Sequence, residues 1–535
     1  MSRETVDVLV IGAGASGAAL TWSLAESGIE VMCLEQGGEP DLEAFPAGER
    51  DWEVHRQTDY HPDPNVRRLP EDYPVNNEES AVEPVMYNAV GGSTVLYSAH
   101  FPRFHPSDFR VKTLDGVAAD WPVTYEELEP YYDLNDRIMG VAGMTGDPAY
   151  PPKSARQTGP LRMGKVGDTM AAGFDKLGWH WWPSDSAILQ DPYDGRLECN
   201  GGGSCDLGCS RRAKGMANVT YWPKALMRGA MLETHARVRE ITVGRDGLAD
   251  GAVYYDADGR VQFQPARIVM LACNGVGTPR LLLNSTSSLN PDGLANSTRL
   301  VGQNLMFHPV SMVTGVFEER VDGFKGPLGC DIFSHQFYET DLSRGFVRGV
   351  GFQVVRATGP VTTANGSFGG HVVPWGESHR RVFSEWFAHS LSVGVIGEDL
   401  PEPENRVTLD PDLTDSDGIP APKIEYRLSD NSLKMLEFGN ARAAEAVEAA
   451  GAKDVLVRPH VRTSGYHLMG TARMGDDPGD SVVDRWGRAH DVKNLFIVDG
   501  SIFVTAAAVN PTSTIQALAL YIADYIKRNS RHLLD

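Results

Sequence analysis

Three glycines near the start of the chain have the spacing that lets a backbone bind phosphate groups. Gly12, Gly14 and Gly17 form the pattern G-x-G-x-x-G. The first glycine permits a tight turn, the second lets the backbone approach a pyrophosphate, and the third lets a helix pack closely on a strand. Glu35 follows eighteen residues after Gly17, where this pattern places the acceptor for ribose hydroxyls. These residues predict a dinucleotide-binding site.

The surrounding segments have the composition of a strand, a helix and a second strand. Val6–Ile11 is apolar and β-branched, as a buried parallel strand should be. A helix is expected to begin near Ala15 and to end near Ser27-Gly28, so that its first N–H groups face the pyrophosphate. A second strand covers Glu30–Leu34. Because Glu35 would repel a 2′-phosphate, this segment favours FAD or NAD and does not decide between them.

A second group of chemically capable residues consists of three cysteines. Cys199, Cys205 and Cys209 have the spacing C-x₅-C-x₃-C on a glycine-rich stretch. Three close thiols can ligate an iron–sulfur cluster, whereas no nearby histidine supplies a fourth ligand for zinc. A cluster, a disulfide and free thiols all remain open, and free thiols are the favoured interpretation.

Further landmarks lie at a distance from the first glycines. A second glycine loop covers residues 88–94 (NAVGGST), and Asn494–Asp499 has the pattern of a buried strand that ends in an acid. The last helical pattern is expected to begin near Pro511–Ser513. Between them lies the segment His467–Gly475 (HLMGTARMG).

With these landmarks the sequence resembles the glucose–methanol–choline (GMC) oxidoreductase family. Other matching blocks are Arg237–Ile241, Ala272–Leu283, Leu300–His308 and Asn405-Arg406-Val407. The resemblance implies an α/β fold (α+β overall) with a Rossmann-like FAD-binding domain and a second, substrate domain built on an antiparallel sheet. It places the FAD domain at 1–45, 85–110, 200–310 and 455–535, and the substrate domain at 46–84, 111–199 and 311–454.

The resemblance also carries a set of FAD contacts onto this sequence. They are Gly12, Gly14, Ala15, Ser16, Gly17, Glu35, Gln36, Gly91, Gly92, Ser93, Val95, Leu96, Tyr97, Ser98, Val238, Ala272, Cys273, Asn274, Asp499, Gly500, Asn510, Pro511 and Thr512. Some members attach FAD covalently through a histidine four residues after the second glycine pair. Leu96 occupies that position here and cannot form the bond, so we predict non-covalent FAD.

Family chemistry implies alcohol oxidation, in which a base takes the hydroxyl proton and the α-hydrogen leaves as hydride to flavin N5. A histidine suits the base, because its unperturbed pKa is about 6.5. The resemblance places this base at His467 and its partner at Asn510. An asparagine can hydrogen-bond the substrate oxygen but cannot take a proton at neutral pH. The alternatives are a structural histidine and a helix-capping asparagine.

The loop Tyr97–Phe104 resembles the corresponding segment of pyranose oxidases, and the His–Asn pair resembles that of pyranose oxidases and bacterial glycoside 3-oxidases. The segment 310–400 is expected to shape the substrate site through Asp331, His335, Gln336, Gln353, His371 and Trp375. We therefore predict oxidation of a secondary ring hydroxyl (C2 or C3) of a pyranose or glycoside to a keto-sugar, with O₂ as acceptor. The alternatives are a choline- or simple-alcohol-type oxidase, or a sugar dehydrogenase that uses a quinone or an iron–sulfur relay.

The charge of the chain argues against several other classes of protein. Its 535 residues carry a formal net charge of −22, which repels nucleic acid and anionic lipid. The first apolar run, Val8–Ile11, is too short for a signal core, and no stretch approaches the roughly 18 apolar residues of a membrane span. A cytoplasmic protein without a membrane span is expected. The sequence leaves the oligomeric state open.

Overall fold

The structure is a computed structural model that describes residues 3–45, 52–356, 359–365 and 371–534. The predicted domain boundary at residue 46 and the two chain ends lie outside these residues. The strands are β1 (Val6–Ile11), β2 (Val31–Leu34), β3 (Asn76–Ser80), β4 (Trp182–Pro183), β5 (Met231–Glu233), β6 (Arg237–Val243), β7 (Ala249–Tyr255), β8 (Val261–Leu271), β9 (Val310–Val316), β10 (Cys330–Phe337), β11 (Val350–Arg356), β12 (Ser390–Gly397), β13 (Arg406–Thr414), β14 (Pro420–Tyr426), β15 (Asp454–Arg458) and β16 (Leu495–Ile497).

The helices lie between these strands and at the end of the chain. They are α1 (Ala15–Ala25), α2 (Trp52–His55), α3 (Pro64–Arg67), α4 (Val111–Asp115), α5 (Tyr125–Met139), α6 (Gly164–Leu177), α7 (Ala217–Met227), α8 (Asn274–Asn284), α9 (Pro360–Asn365), α10 (His379–Trp386), α11 (Asp430–Ala449) and α12 (Thr512–Leu533). Short 3₁₀ turns occur at Gly92–Val95, Pro106–Phe109, Leu342–Arg344 and Gly500–Ile502. None of the described helices is long and apolar enough to cross a bilayer.

The first sheet contains the glycine motif. It has seven strands in the order β5-β2-β1-β8-β7-β6, with β16 also paired to β8. The central strand β1 runs parallel to β2 and β8, and α1 packs against α7 and α12. Gly12 has a φ of +103°, and a Cβ on Gly17 would lie 2.0 Å from the Gly12 carbonyl oxygen. Both positions therefore require glycine, and the predicted Rossmann-like unit is confirmed.

The second sheet is antiparallel, with the order β15-β9-β12-β11-β10-β4. Successive side chains of a strand point to opposite faces. Val313, Val354 and Val393 pack on one face beneath α6 and α11. The other face carries Met312 and Gln353 and lines a cavity. This sheet confirms the predicted antiparallel architecture.

The third sheet is small and contacts the first through its hairpin. β13 and β14 are antiparallel, and β3 joins β14 in parallel. Asp415, in the β13–β14 turn, forms a buried ion pair with Arg280 of α8 at 2.8 Å and lies 3.6 Å from Arg237 of β6. These pairs hold the hairpin against the nucleotide-binding unit.

The division of the chain into two domains stays a prediction. β15 stands where the last FAD-domain segment is predicted to begin, and it pairs with β9 of the antiparallel sheet. The helix α5 comes from a predicted substrate-domain segment, yet it packs against α12. Elements from both sets of segments therefore pack against each other.

Candidate active site

A cavity of about 520 Å³ brings together the predicted cofactor and catalytic residues. Its nucleotide part is lined by Gly12, Gly14 and Glu35, and its reactive part by His467 and Asn510. Three predicted FAD contacts do not line it: Gly17, Gly91 and Val95. Gly17 packs α1 against the first strand, Gly91 turns the loop with a φ of +96°, and Val95 is fully buried. We expect these three residues to hold in place the neighbouring residues that contact FAD, without contacting it themselves.

The nucleotide part has the features that bind a pyrophosphate and a ribose. Gly14 is the N-cap of α1 and contributes no side-chain hydrogen bond, so the first N–H groups of the helix are free to bind an anion. A Cβ on Gly92 would lie 2.8 Å from the Cα of Gly14, so the two glycine loops touch. Glu35 accepts the N–H groups of Ala13 (2.8 Å) and Gly37 (2.9 Å). The donors and the acid fit a dinucleotide.

Burial affects the two acids of this part. Desolvation raises the pKa of Glu35 to about 7, and it also raises the pKa of Asp499. Asp499 accepts the Asn274 N–H (3.1 Å) and the Thr278 hydroxyl (2.5 Å). Through these bonds it joins the end of β16 to the start of α8 at the cavity wall.

A buried lysine holds the loop that follows the second glycine pair. The Lys214 ammonium is 1% exposed and donates to the carbonyl oxygens of Val95 (2.7 Å), Tyr97 (3.0 Å) and Cys205. Burial lowers its pKa to about 8. Lys214 stands five residues after Cys209, and no local pattern in the sequence indicates this role. It fixes the backbone from which Leu96, Tyr97 and Ser98 line the cavity.

The three clustered cysteines are free thiols in the structure. Burial raises the pKa of Cys199, and it raises the pKa of Cys205 to about 12. Within the described residues, no group of three or more His, Cys, Asp or Glu side chains is placed to hold a metal ion.

His467 is linked to a second histidine that fixes its proton. His308 Nε2 lies 2.8 Å from the Ala507 carbonyl oxygen, and His308 Nδ1 lies 2.7 Å from His467 Nδ1. A carbonyl only accepts hydrogen bonds, so we assign the proton of neutral His308 to Nε2 and the acceptor role to its Nδ1. His467 then donates from Nδ1 and keeps a lone pair on Nε2.

Both histidines are held in the neutral state by their surroundings. Burial lowers the pKa of His308 to about 4. The pKa of His467 is well below its usual range because of burial, and secondarily because of His308 and His100. A neutral imidazole with a free lone pair is the form that can take a proton.

Asn510 is oriented by a glutamine from the antiparallel sheet. Gln353 Nε2 donates to Asn510 Oδ1 at 2.5 Å, and Asn510 Nδ2 lies 3.3 Å from His467 Nε2. The side-chain amide of Asn510 therefore points its N–H groups toward the lone pair of His467. Pro511 is the N-cap of α12 and no side chain caps that helix, so the capping alternative for Asn510 does not describe this structure.

Most polar residues expected at the substrate site lie elsewhere. Asp331 pairs with Arg356, His335 with His105, and Gln336 accepts the His180 N–H, while Trp375 is 85% exposed. Neither His371 nor Trp375 lines the cavity. Of the six predicted residues (Asp331, His335, Gln336, Gln353, His371 and Trp375), Gln353 alone is among the lining residues. Asp331 and His335 are bonded to Arg356 and His105, which do not line the cavity, and His371 and Trp375 lie outside the strands of the sheet.

Comparison with known proteins identifies the family. Sequence profiles described as GMC oxidoreductase match residues 6–310 and 401–519. The chain belongs to the GMC oxidoreductase family. It is therefore an FAD-dependent oxidoreductase, as the sequence predicts.

Similar proteins include two curated relatives and a solved structure. A 2-methyl-1,2-propanediol dehydrogenase from Mycolicibacterium austroafricanum is 45% identical, over 100% of this chain and 97% of its own. The fructose dehydrogenase large subunit of Gluconobacter japonicus is 31% identical, over 98% and 99%. A formate oxidase from Aspergillus oryzae has the same fold, with a TM-score of 0.67, 15% identity and 100% of each chain covered.

Proposed function

We propose that this GMC oxidoreductase oxidises the hydroxyl-bearing carbon of a small alcohol with a compact apolar skeleton. The observation that carries this proposal is the composition of the wall that the antiparallel sheet presents to the cavity. The side chains of this sheet at the cavity are almost all apolar, namely Val310, Met312, Cys330, Val355 and Ile396, and Leu328 adjoins them just before β10. Such a wall accommodates a branched hydrocarbon group and offers few partners to hydroxyl groups.

Each residue of the reactive part has a separate role in the reaction. His467 takes the hydroxyl proton at Nε2, while its Nδ1–H remains bound to His308. Asn510, held by Gln353, donates to the substrate oxygen and orients it. FAD, held non-covalently beside Leu96, supplies the hydride acceptor when bound. Loss of the proton and of the hydride leaves a carbonyl product.

A pyranose or glycoside oxidised at C2 or C3 is the second candidate. The similarity to the fructose dehydrogenase large subunit favours it, as does the amide of Gln353 in the wall. Against it, ring hydroxyls would lie on an apolar surface, and each buried hydroxyl without a partner costs on the order of 1–3 kcal/mol. The relative described as a 2-methyl-1,2-propanediol dehydrogenase is more similar, and its named substrate is a compact alcohol.

Anaerobic bleaching of the flavin absorbance tests the proposal. We expect 2-methyl-1-propanol and 1,2-propanediol to bleach the flavin faster than glucose or a methyl glycoside at equal concentration. Oxygen or a quinone, added afterwards, identifies the acceptor; we expect reoxidation by O₂. Faster bleaching by the sugars would favour a pyranose over a compact alcohol as the substrate.

The variant His467→Ala tests the role of the base. We expect it to bind FAD normally but to lose alcohol-driven bleaching by ~10²-fold or more. The matched control is His389→Ala, because His389 is bonded to the Glu318 carbonyl and does not line the cavity. Near wild-type bleaching by His467→Ala would assign the proton transfer to another group.

A further inference from the structure

His100 is a polar residue of the reactive part that has no role in the chemistry described above. We infer that His100 binds a second hydroxyl group of the substrate, so that the preferred substrates are compact diols. This inference rests on the proposed alcohol oxidation and specifies its substrate class.

The first argument is an unpartnered nitrogen inside the cavity. His100 is 3% exposed and lines the same cavity as His467. Its Nδ1 lies 2.6 Å from the Ser184 hydroxyl, and no other side-chain hydrogen bond of this imidazole occurs among the described residues. Nε2 is therefore the ring nitrogen that remains open to the cavity, where a ligand hydroxyl or a water molecule can bind it.

The second argument is that the ring is held in place before any substrate arrives. Ala99 adopts a φ of +61°, a left-handed conformation that is unusual for alanine. Its carbonyl oxygen accepts the N–H of Ala187 at 2.9 Å. The imidazole packs beside Phe333, with ring centroids 6.2 Å apart. A polar group fixed in this way binds with little further loss of conformational entropy.

The third argument concerns which ligand group the ring can bind. Burial lowers the pKa of His100 to about 4, so the imidazole is neutral near pH 7. The nearest charged groups, Asp185 and Lys153, form an ion pair with each other at 3.1 Å. A neutral ring nitrogen suits a hydroxyl, whereas a substrate carboxylate would require a cation. Apart from Gln353, whose amide is bonded to Asn510, the sheet side chains at the cavity are apolar, so the remainder of the substrate is a short hydrocarbon.

A comparison of matched alcohols tests this assignment. The pairs are 1,2-propanediol with 1-propanol, and 2-methyl-1,2-propanediol with 2-methyl-1-propanol. We expect the wild type to have a higher kcat/KM for the diol of each pair. In His100→Leu the ratio of diol to mono-alcohol kcat/KM should fall at least ~10-fold, because one hydrogen bond to the substrate is lost.

Two further variants make the result specific. His100→Gln retains a hydrogen-bonding side chain, and we expect it to recover part of the diol preference. If His100→Leu does not bind FAD, the ratio of diol to mono-alcohol kcat/KM is compared between the wild type and His100→Gln. The control is His389→Leu, which lies away from the cavity and should leave the ratio unchanged.

Each remaining outcome decides against the inference in a recognisable way. An equal loss of kcat/KM for both members of a pair would mean that His100 supports the loop that follows Gly92 and lines the cavity. An altered flavin spectrum in both His100 variants would have the same meaning. A wild type without any diol preference would also overturn the inference, while leaving alcohol oxidation intact. If no alcohol bleaches the wild-type flavin, the proposed function itself fails.

Discussion

The proposed catalytic base, His467, depends on a second histidine, His308, to keep its proton on Nδ1. Ala507 presents only a carbonyl oxygen to His308, and this contact fixes the tautomer of His308 and, through it, that of His467. His308 does not line the cavity, so it acts as a positioning residue. The same relation between an orienting acceptor and a catalytic histidine governs other proton-transfer sites.

Two substitutions of His308 separate positioning from packing. His308→Leu removes the acceptor for His467 Nδ1–H, so we expect kcat to fall by about 10-fold or more. His308→Asn can still accept the hydrogen bond from His467 Nδ1–H through its amide oxygen, so we expect it to recover most of the lost rate. Rapid anaerobic mixing with an alcohol measures the rate of flavin reduction in each variant.

The pH profile provides the readout that a packing defect would not produce. His308 contributes to the lowered pKa of His467. Activity requires neutral His467 and is lost as the pH falls through that pKa. In acid His308 also takes a proton, and its charge opposes a positive charge on His467. Without this imidazole the pKa of His467 is less depressed, so the acid limb of kcat/KM should move to higher pH in His308→Leu. An unchanged limb together with an unchanged rate would contradict the positioning role.

Single residues differ in how far the sequence could predict them. His467 stands in a distinctive local segment, and Asn510 stands just before the last helix, so the family resemblance could carry both roles. His308 occurred in a matching block, but its role depends on a contact with a residue 159 positions away. Of the six polar residues expected at the cavity from segment 310–400, Gln353 alone lines it. The position of the other five relative to the cavity depends on strand pairing and on contacts between distant segments, which the sequence does not show.

Among the elements, the β13–β14 hairpin connects cofactor binding with the rest of the fold. Ile419 and Arg280 line the nucleotide part of the cavity. The side chain of Asp415 is fully buried and pairs with Arg280. Removing one member of a buried pair leaves the other charge uncompensated, which is strongly destabilising. The hairpin should therefore open more readily when Asp415 is neutral.

The substitution Asp415→Asn tests whether this ion pair retains FAD by holding the hairpin in place. We expect FAD to dissociate at least ~10-fold faster, as measured by the rise of flavin fluorescence after dilution. The matched control is Asp412→Asn, because Asp412 is an exposed acid of the same hairpin. Equal release rates for both variants would show that the buried ion pair does not retain the cofactor.

The elements also differ in how far local sequence could predict them. The strand–helix–strand unit at the start of the chain is contiguous, and its glycines mark each turn. The strand β12 is buried along its whole length, because helices cover one face of its sheet and the other face lines the cavity. Such a strand shows no alternation of polar and apolar residues, so the antiparallel sheet could be expected only from the family resemblance.

At the scale of the whole molecule, all three sheets contribute to one cavity. The first supplies Gly12, the second supplies Met312, and the hairpin of the third supplies Ile419. A cofactor that bridges these parts stabilises the native chain without binding the unfolded one. The stabilisation grows as RT ln(1 + [L]/Kd), or about 2.7 kcal/mol at a free concentration of 100 Kd.

Because Leu96 cannot form the covalent bond that a histidine forms at this position, acid ammonium sulfate should release the flavin into the supernatant. Flavin in the pellet would contradict non-covalent binding.

Because FAD bridges the three sheets, its removal should lower the unfolding temperature of the whole protein. We expect the apoprotein to melt several degrees below the holoenzyme and to recover when FAD is added. ADP is the matched ligand control, since it fills only the part lined by Gly12, Gly14 and Glu35. It should restore a smaller increment, because it makes no contact near His467. Identical melting temperatures for apoprotein and holoenzyme would show that the three sheets hold together independently of the cofactor.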